Sequence, residues 1–139
     1  MSAYLLDSGI LIRHLRNNAG YLALIRRLNQ EADLYISAFT RVEIVRGMRD
    51  HERERTFTLL DSFFTQPIDR AVADQAGEWI RDWQARGMTI SGPDAVIAAS
   101  ALQVGAALVT TNARHFPMPE LIVFSVDEKG EMRPVDKRG

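Results

Sequence analysis

Short apolar runs alternate along the chain with stretches whose apolar positions recur every three or four residues. The first pattern suits strands buried on both faces, and the second suits amphipathic helices. Ala3–Asp7 (AYLLD), Asp33–Ser37 (DLYIS), Ala107–Thr111 (ALVTT) and Leu121–Val126 (LIVFSV) read as strands, with Thr65–Ile68 as a short additional one. Helices are expected over Ser8–Asn17, Leu22–Gln30, Thr40–Asp50 and Arg53–Phe64. A longer helix over Arg70–Arg86 carries Val72, Ala76, Trp79, Ile80 and Trp83 on one face, and Gly87 suits its C-cap. Ser91-Gly92-Pro93 opens another helix that runs to about Val104, with Pro93 in its first turn. Because Ala95–Leu102 is apolar except for Ser100, that helix is expected to be covered on most sides.

Strands joined by helices predict an α/β fold, a parallel sheet of about four to five strands with helices on both faces. No repeat or linker interrupts residues 1–126, which read as one domain. Residues 127–139 (DEKGEMRPVDKRG) form a charged tail, open to two readings: a hairpin around Lys129-Gly130 or a loose end.

The 139 residues are 46% hydrophobic and 25% charged, which supports one core and excludes a disordered chain. An uncharged run from Ala95 to Ala113 is broken by Gln103, Gly105, Thr110, Thr111 and Asn112, so it reads as a buried helix and a strand and not as a membrane span. Asp7 and Arg13 interrupt the apolar segment a signal peptide needs, and the chain has no cysteine. The expected location is the cytoplasm. Absence of cysteine also removes disulfides, thiolate zinc sites and a cysteine nucleophile.

Seventeen basic residues against 18 acidic ones give a net charge of −1 and no overall pull toward nucleic acid. Any polyanion site must therefore be local. All the basic residues except Lys129 and Lys137 are arginines, whose planar fork suits phosphate.

Four polar residues fall where an open parallel sheet collects ligands, at strand ends and helix starts. Asp7 ends the first strand, Glu43 lies just after the second, Asp94 opens the most apolar helix, and Asn112 follows the ALVTT strand. Each has an ordinary reading: a helix cap for Asp7, a surface pair with Arg46 for Glu43, a helix-dipole partner for Asp94 and a turn residue for Asn112. Glu43 is also four residues before Gly47, which has no side chain to cover it. Three carboxylates gathered at one place would repel one another unless a cation kept them ionised. An all-oxygen donor set points to Mg²⁺ or Mn²⁺ and away from zinc.

Four blocks carry a family resemblance: Leu5-Leu6-Asp7-Ser8; Ser37-Ala38-Phe39-Thr40-Arg41-Val42-Glu43 with Gly47; Gly92-Pro93-Asp94-Ala95-Val96-Ile97-Ala98-Ala99; and Leu108-Val109-Thr110-Thr111-Asn112 with Phe116. In this order the chain resembles a PIN domain, most closely the VapC-type ribonuclease toxins, over about residues 3–124. The resemblance implies a Rossmann-like sheet, an endoribonuclease dependent on Mg²⁺ or Mn²⁺, a homodimer, and a cognate antitoxin that blocks the site. Asp7, Glu43 and Asp94 carry over as the metal ligands. Ser8 and Thr110 match supporting hydroxyl positions. Asn112 stands where related domains often have a fourth Asp, a departure that puts a second metal in doubt.

The metal-dependent reading has RNA as substrate, with Arg13, Arg46 and Arg114 as candidate backbone contacts. His115, beside Phe116 and Pro117, reads as structural. Two alternatives remain. An aspartyl nucleophile at Asp7 could transfer phosphoryl groups, although haloacid-dehalogenase-like enzymes usually place another acid at the position held here by Gly9. A non-catalytic partner-binding module of the same fold is the other.

Overall fold

The computed structural model describes residues 2–137. Fourteen elements follow in order. Strand β1 (Ser2–Leu6) leads into helices α1 (Ser8–Leu15) and α2 (Ala19–Glu31), then β2 (Ala32–Ser37) and α3 (Ala38–Gly47). A 3₁₀ turn at Asp50–Glu52 precedes α4 (Arg53–Asp61), β3 (Phe64–Gln66) and α5 (Arg70–Ala85). Helix α6 (Gly92–Val104), β4 (Ala107–Thr110), a 3₁₀ turn at Ala113–His115, β5 (Val123–Val126) and β6 (Met132–Pro134) complete the chain.

One sheet of six strands runs in the order β3-β2-β1-β4-β5-β6. The first five are mutually parallel, and β6 pairs antiparallel with β5, setting Val126 opposite Met132. The expected four to five strands are thus five parallel ones plus a sixth from the charged tail, which forms a hairpin. Its turn is closed by Gly130 at φ +82° and by the Asp127 carboxylate, which accepts from the backbone N–H groups of Lys129 and Glu131. The tail's last two positions, 138 and 139, lie outside the described residues.

Strand pleating sorts the core into two layers. Leu5 and Leu108 face α5 and α6, where Val72, Trp79, Ile97 and Phe116 close the packing. Leu6 and Val109 face the other way, against Ile10, Tyr21, Leu24, Leu28, Ile44 and Leu60. Helix α6 is enclosed as its composition predicts, with Ala95 and Ile97–Ala101 buried.

Element ends move where side chains cap them. Asn18 accepts from the N–H groups of Gly20 and Tyr21, so α2 begins three residues before the expected Leu22. Ser37 does the same for α3 by accepting from Phe39 N–H, which starts that helix before Thr40. Helix α4 stops at Asp61 and not at Phe64, because Phe64 already belongs to β3, in register with Tyr35. Gly87 and Gly105 end α5 and α6 at positive φ.

Candidate active site

From β1 the chain crosses to β2 and β3 on one side, and it returns later to add β4 on the other. The carboxyl ends of β1 and β4 therefore flank the point where strand order reverses, the crevice in which open α/β sheets bind ligands. Asp7 and Thr110 stand at these two ends.

Asp7 is 7% exposed. Its backbone N–H donates to the Val109 carbonyl, tying it to β4. One carboxylate oxygen accepts from Ser8 N–H at 2.8 Å and the other from the Thr110 hydroxyl at 2.7 Å. The capping reading of Asp7 is realised, since its carboxylate accepts from Ser8 N–H at the N-cap of α1. Burial pushes its pKa above the ordinary 3.8, the bonds from Thr110 and Ser8 offset part of that rise, and the nearby charge of Asp94 adds to it. Among the described residues, the groups acting on it include no Lys, Arg or His.

The Ser8 hydroxyl donates to Glu43 Oε1 at 2.8 Å and lies 3.4 Å from Asp7 Oδ1. Glu43 is half-buried on α3 and takes this partner in place of Arg46. A side chain at Gly47 would meet nothing within 4 Å, so the approach expected over Glu43 is open. It leads into a groove of about 190 Å³ lined by Ile12, Leu15, Arg16, Glu43, Ile44 and Met48, among others.

Asp94 lies in the first turn of α6, held there by Ser91, whose hydroxyl accepts from Asp94 N–H at 3.2 Å. Its carboxylate lies 3.3 Å from His115 Nδ1. His115, read as structural beside Phe116 and Pro117, has a side chain that is 53% exposed and meets an acid. The 3₁₀ turn after β4 swings the ring away from the core that Phe116 enters. Asn112 is exposed. Its backbone N–H donates to Thr110 Oγ1 at 3.0 Å and its amide reaches Thr111 Oγ1 at 3.4 Å, so among the described residues it bonds to none of the three acids.

Thr40 is a second residue that pattern reading passed over. Its hydroxyl is fully buried without a hydrogen-bond partner among the described residues, and it precedes Glu43 by three positions on α3. A buried orphan of this kind costs about 1–3 kcal/mol unless something supplies a partner.

These features fit a hard divalent cation. The donors are oxygens, a buried carboxylate lacks a cationic partner among the described residues, and a buried hydroxyl three positions before Glu43 on α3 is unsatisfied. Among the described residues no three acidic or histidine groups form a ready-made chelate. A small cation that keeps most of its waters and takes few carboxylates suits this arrangement better than one needing an all-protein cage.

The model of the PIN domain family matches residues 4–119. Ribonuclease VapC10 of Mycobacterium tuberculosis is 35% identical over 116 residues, covering 84% of this chain and 87% of that protein. Ribonuclease VapC1 of Methanocaldococcus jannaschii is 29% identical over 116 residues, covering 83% and 79%. Among solved structures, VapBC2 from Rickettsia felis, bound to a promoter DNA fragment, superposes with a TM-score of 0.79 at 20% identity, over 90% of this chain and 99% of that one. FitAcB from Neisseria gonorrhoeae superposes with a TM-score of 0.67 at 27% identity, over 86% and 95%. With its order of strands, its acids at the switch point and these likenesses, the chain belongs to the PIN-domain family, on the branch of the VapC ribonucleases.

Proposed function

We propose that this protein is the toxin of a toxin–antitoxin pair, an endoribonuclease that hydrolyses RNA phosphodiester bonds with Mg²⁺ or Mn²⁺ held by Asp7, Glu43 and Asp94. The observation that carries this is the buried Asp7 carboxylate, influenced by Asp94 and joined to Glu43 through Ser8. A divalent cation here would activate water and stabilise the charge that develops on the phosphate.

The chain's own groups do the rest. Thr110 and Ser8 fix the rotamer of Asp7, so both of its oxygens are oriented before substrate arrives. Ser8 also holds Glu43 at the mouth of the groove, where that carboxylate is placed to accept a proton from water. Thr40 supplies a hydroxyl with no competing partner, and Asn112 contributes a neutral amide at the rim.

Structural neighbours of the chain are toxin–antitoxin complexes. The groove beside Glu43, with Ile12, Leu15 and Met48 as its apolar floor and Arg16 on its wall, is the surface at which a small antitoxin would cover the acids. The working form is a homodimer in the cytoplasm. No helix of the described residues is long and apolar enough to cross a membrane.

Incubation of the purified, partner-free chain with mixed RNA tests the proposal. Cutting with Mg²⁺ or Mn²⁺ that EDTA stops is the expected result. Intact RNA in every arm would favour a binding module of the same fold.

A further inference from the structure

Another recess is bordered by α1 through Arg13, apart from the groove that Ile12, Leu15 and Arg16 line. It has a volume of about 620 Å³ and runs between Arg13 and Tyr21 on one side and Asp127, Glu128, Lys129, Glu131 and Arg133 of the C-terminal hairpin on the other, with Thr111 at its inner end. Gly9, two residues after Asp7, borders it, since a Cβ there would lie 2.7 Å from Thr111 Oγ1 and 3.4 Å from the Arg13 guanidinium.

Both walls are fixed. Arg13 donates to the Gly9 carbonyl at 3.4 Å and lies 5.5 Å above the ring centre of the fully buried Tyr21. The Tyr21 hydroxyl donates to the Asp127 carbonyl at 2.8 Å. Gly20 and Gly130 meet backbone to backbone, and a Cβ on Gly20 would collide with the Lys129 carbonyl. The hairpin is thus held against α1 and α2, and the recess exists before any ligand enters.

Its charges are mixed, and their placement matters. Arg13 reaches the Gly9 carbonyl, two residues after Asp7, whereas Glu128 and Glu131 line the hairpin wall together with Lys129 and Arg133, Glu131 lying 3.8 Å from Arg133. Carboxylates repel phosphate but accept hydrogen bonds from base amino and imino groups. An arginine by the cutting site and acceptors beyond it match one nucleotide, phosphate inward and base outward.

We infer that the recess between α1 and the C-terminal hairpin is a base-selecting subsite for the nucleotide next to the scissile bond, in which Arg13 holds the flanking phosphate and Glu128 and Glu131 accept from a donor-rich base edge. Guanine, with an N1–H and an N2 amino group side by side, fits two carboxylate acceptors best; cytosine and adenine each offer one amino group. This rests on the ribonuclease reading above and gives that reading a sequence preference.

The test uses four fluorescent pentaribonucleotides that differ only at the central base, with binding read by anisotropy in EDTA so that no cleavage occurs. The wild type is expected to bind the guanine oligonucleotide about tenfold more tightly than the adenine one, a difference within what a well-placed pair of polar contacts supplies. Arg13→Ala should weaken all four and reduce the slope of log affinity against log salt by about 0.7, the share of one phosphate contact on a single strand. Glu128→Gln with Glu131→Gln should erase the guanine preference and leave the salt slope negative. Should Arg13→Ala melt early, Arg13→Gln, which keeps the stem over Tyr21, carries the same expectation.

Unchanged affinity, slope and base ranking in variants with wild-type melting temperatures would overturn the inference, as would a wild type that binds all four alike. Failure of the ribonuclease reading looks different: base-selective binding that Arg13 and the two glutamates control, with no metal-dependent cutting.

Discussion

The hydroxyl of Ser8 lies 2.8 Å from Glu43 Oε1 while the backbone N–H of the same residue lies 2.8 Å from Asp7 Oδ1. One small residue at the start of α1 thus joins an acid from the end of β1 to an acid from the helix after β2. Asp7 and Glu43 are 36 positions apart in sequence. Their mutual placement depends on β1 and β2 being parallel neighbours, Tyr4 beside Leu34 and Leu5 beside Tyr35.

Ser8→Ala keeps the backbone bond to Asp7 and loses the hydroxyl's short bond to Glu43 and its longer contact, 3.4 Å, with Asp7. Cleavage is expected to fall by about 10- to 100-fold, the usual cost of removing a group that orients a ligand. The melting temperature should change little, since Ser8 is 8% exposed and the new methyl group needs no partner. Kinetics beside a thermal melt check this, and unaltered cleavage would show that Glu43 needs no such support.

Asp7 predicts a pH dependence of stability. Its pKa in the fold is raised above 3.8, so the unfolded chain gives up this proton more readily. The resulting penalty on the folded state is absent below about pH 3.8, grows as pH rises toward the raised value, and is complete above it. Metal-free Asp7→Asn should therefore melt above the wild type at pH 7, with the gap closing as pH approaches 4. Mn²⁺ should raise the wild type by mass action and leave the variant behind. Scanning calorimetry over pH, with and without Mn²⁺, reads both effects.

Asp94 and Asn112 should separate in their effects. Asp94→Asn removes an anionic donor and is expected to lower cleavage by on the order of 10² to 10³ while the fold persists. Asn112→Ala should cost less, because its side chain bonds only to Thr111 among the described residues. Asn112→Asp should strengthen Mn²⁺ binding in RNA-free protein. Calorimetric titration decides it, and an affinity unchanged by the new carboxylate would put residue 112 outside the metal site.

Gly20→Ala tests how firmly the hairpin is held. The added methyl group collides with the Lys129 carbonyl, and backbone on both sides leaves no soft group to yield. A loss of about 1–3 kcal/mol is expected on chemical denaturation, with faster amide exchange in residues 127–134. Wild-type stability would mean that the hairpin rides loosely on α2.

Much of this protein is determined by local sequence. Alternation of apolar runs with helical periodicity specifies five parallel strands and six helices, because the pleat and the helical turn each demand their own spacing of buried side chains. Asp7, Glu43, Asp94 and Asn112 read as a group because a parallel sheet brings the ends of its strands to one side; packing joins Asp7 to Glu43 through Ser8 and leaves Asn112, among the described residues, bonded to none of the acids. The helical spacing of Leu24, Leu28 and Leu60 puts them on inward faces, and the tertiary structure buries all three.

What local pattern could not decide is which residues touch across long separations. His115 sits next to Phe116 in sequence, yet in space it faces Asp94, because a single 3₁₀ turn sends neighbouring side chains in opposite directions. Thr40 looks like any helical threonine until packing closes over its hydroxyl. The charged tail carries no apolar run long enough to announce a strand, and it becomes one because β5 offers an unpaired edge and Gly20 leaves room for its turn. Such contacts arise from the joint packing of distant segments, and no single stretch of the chain contains the geometry that creates them.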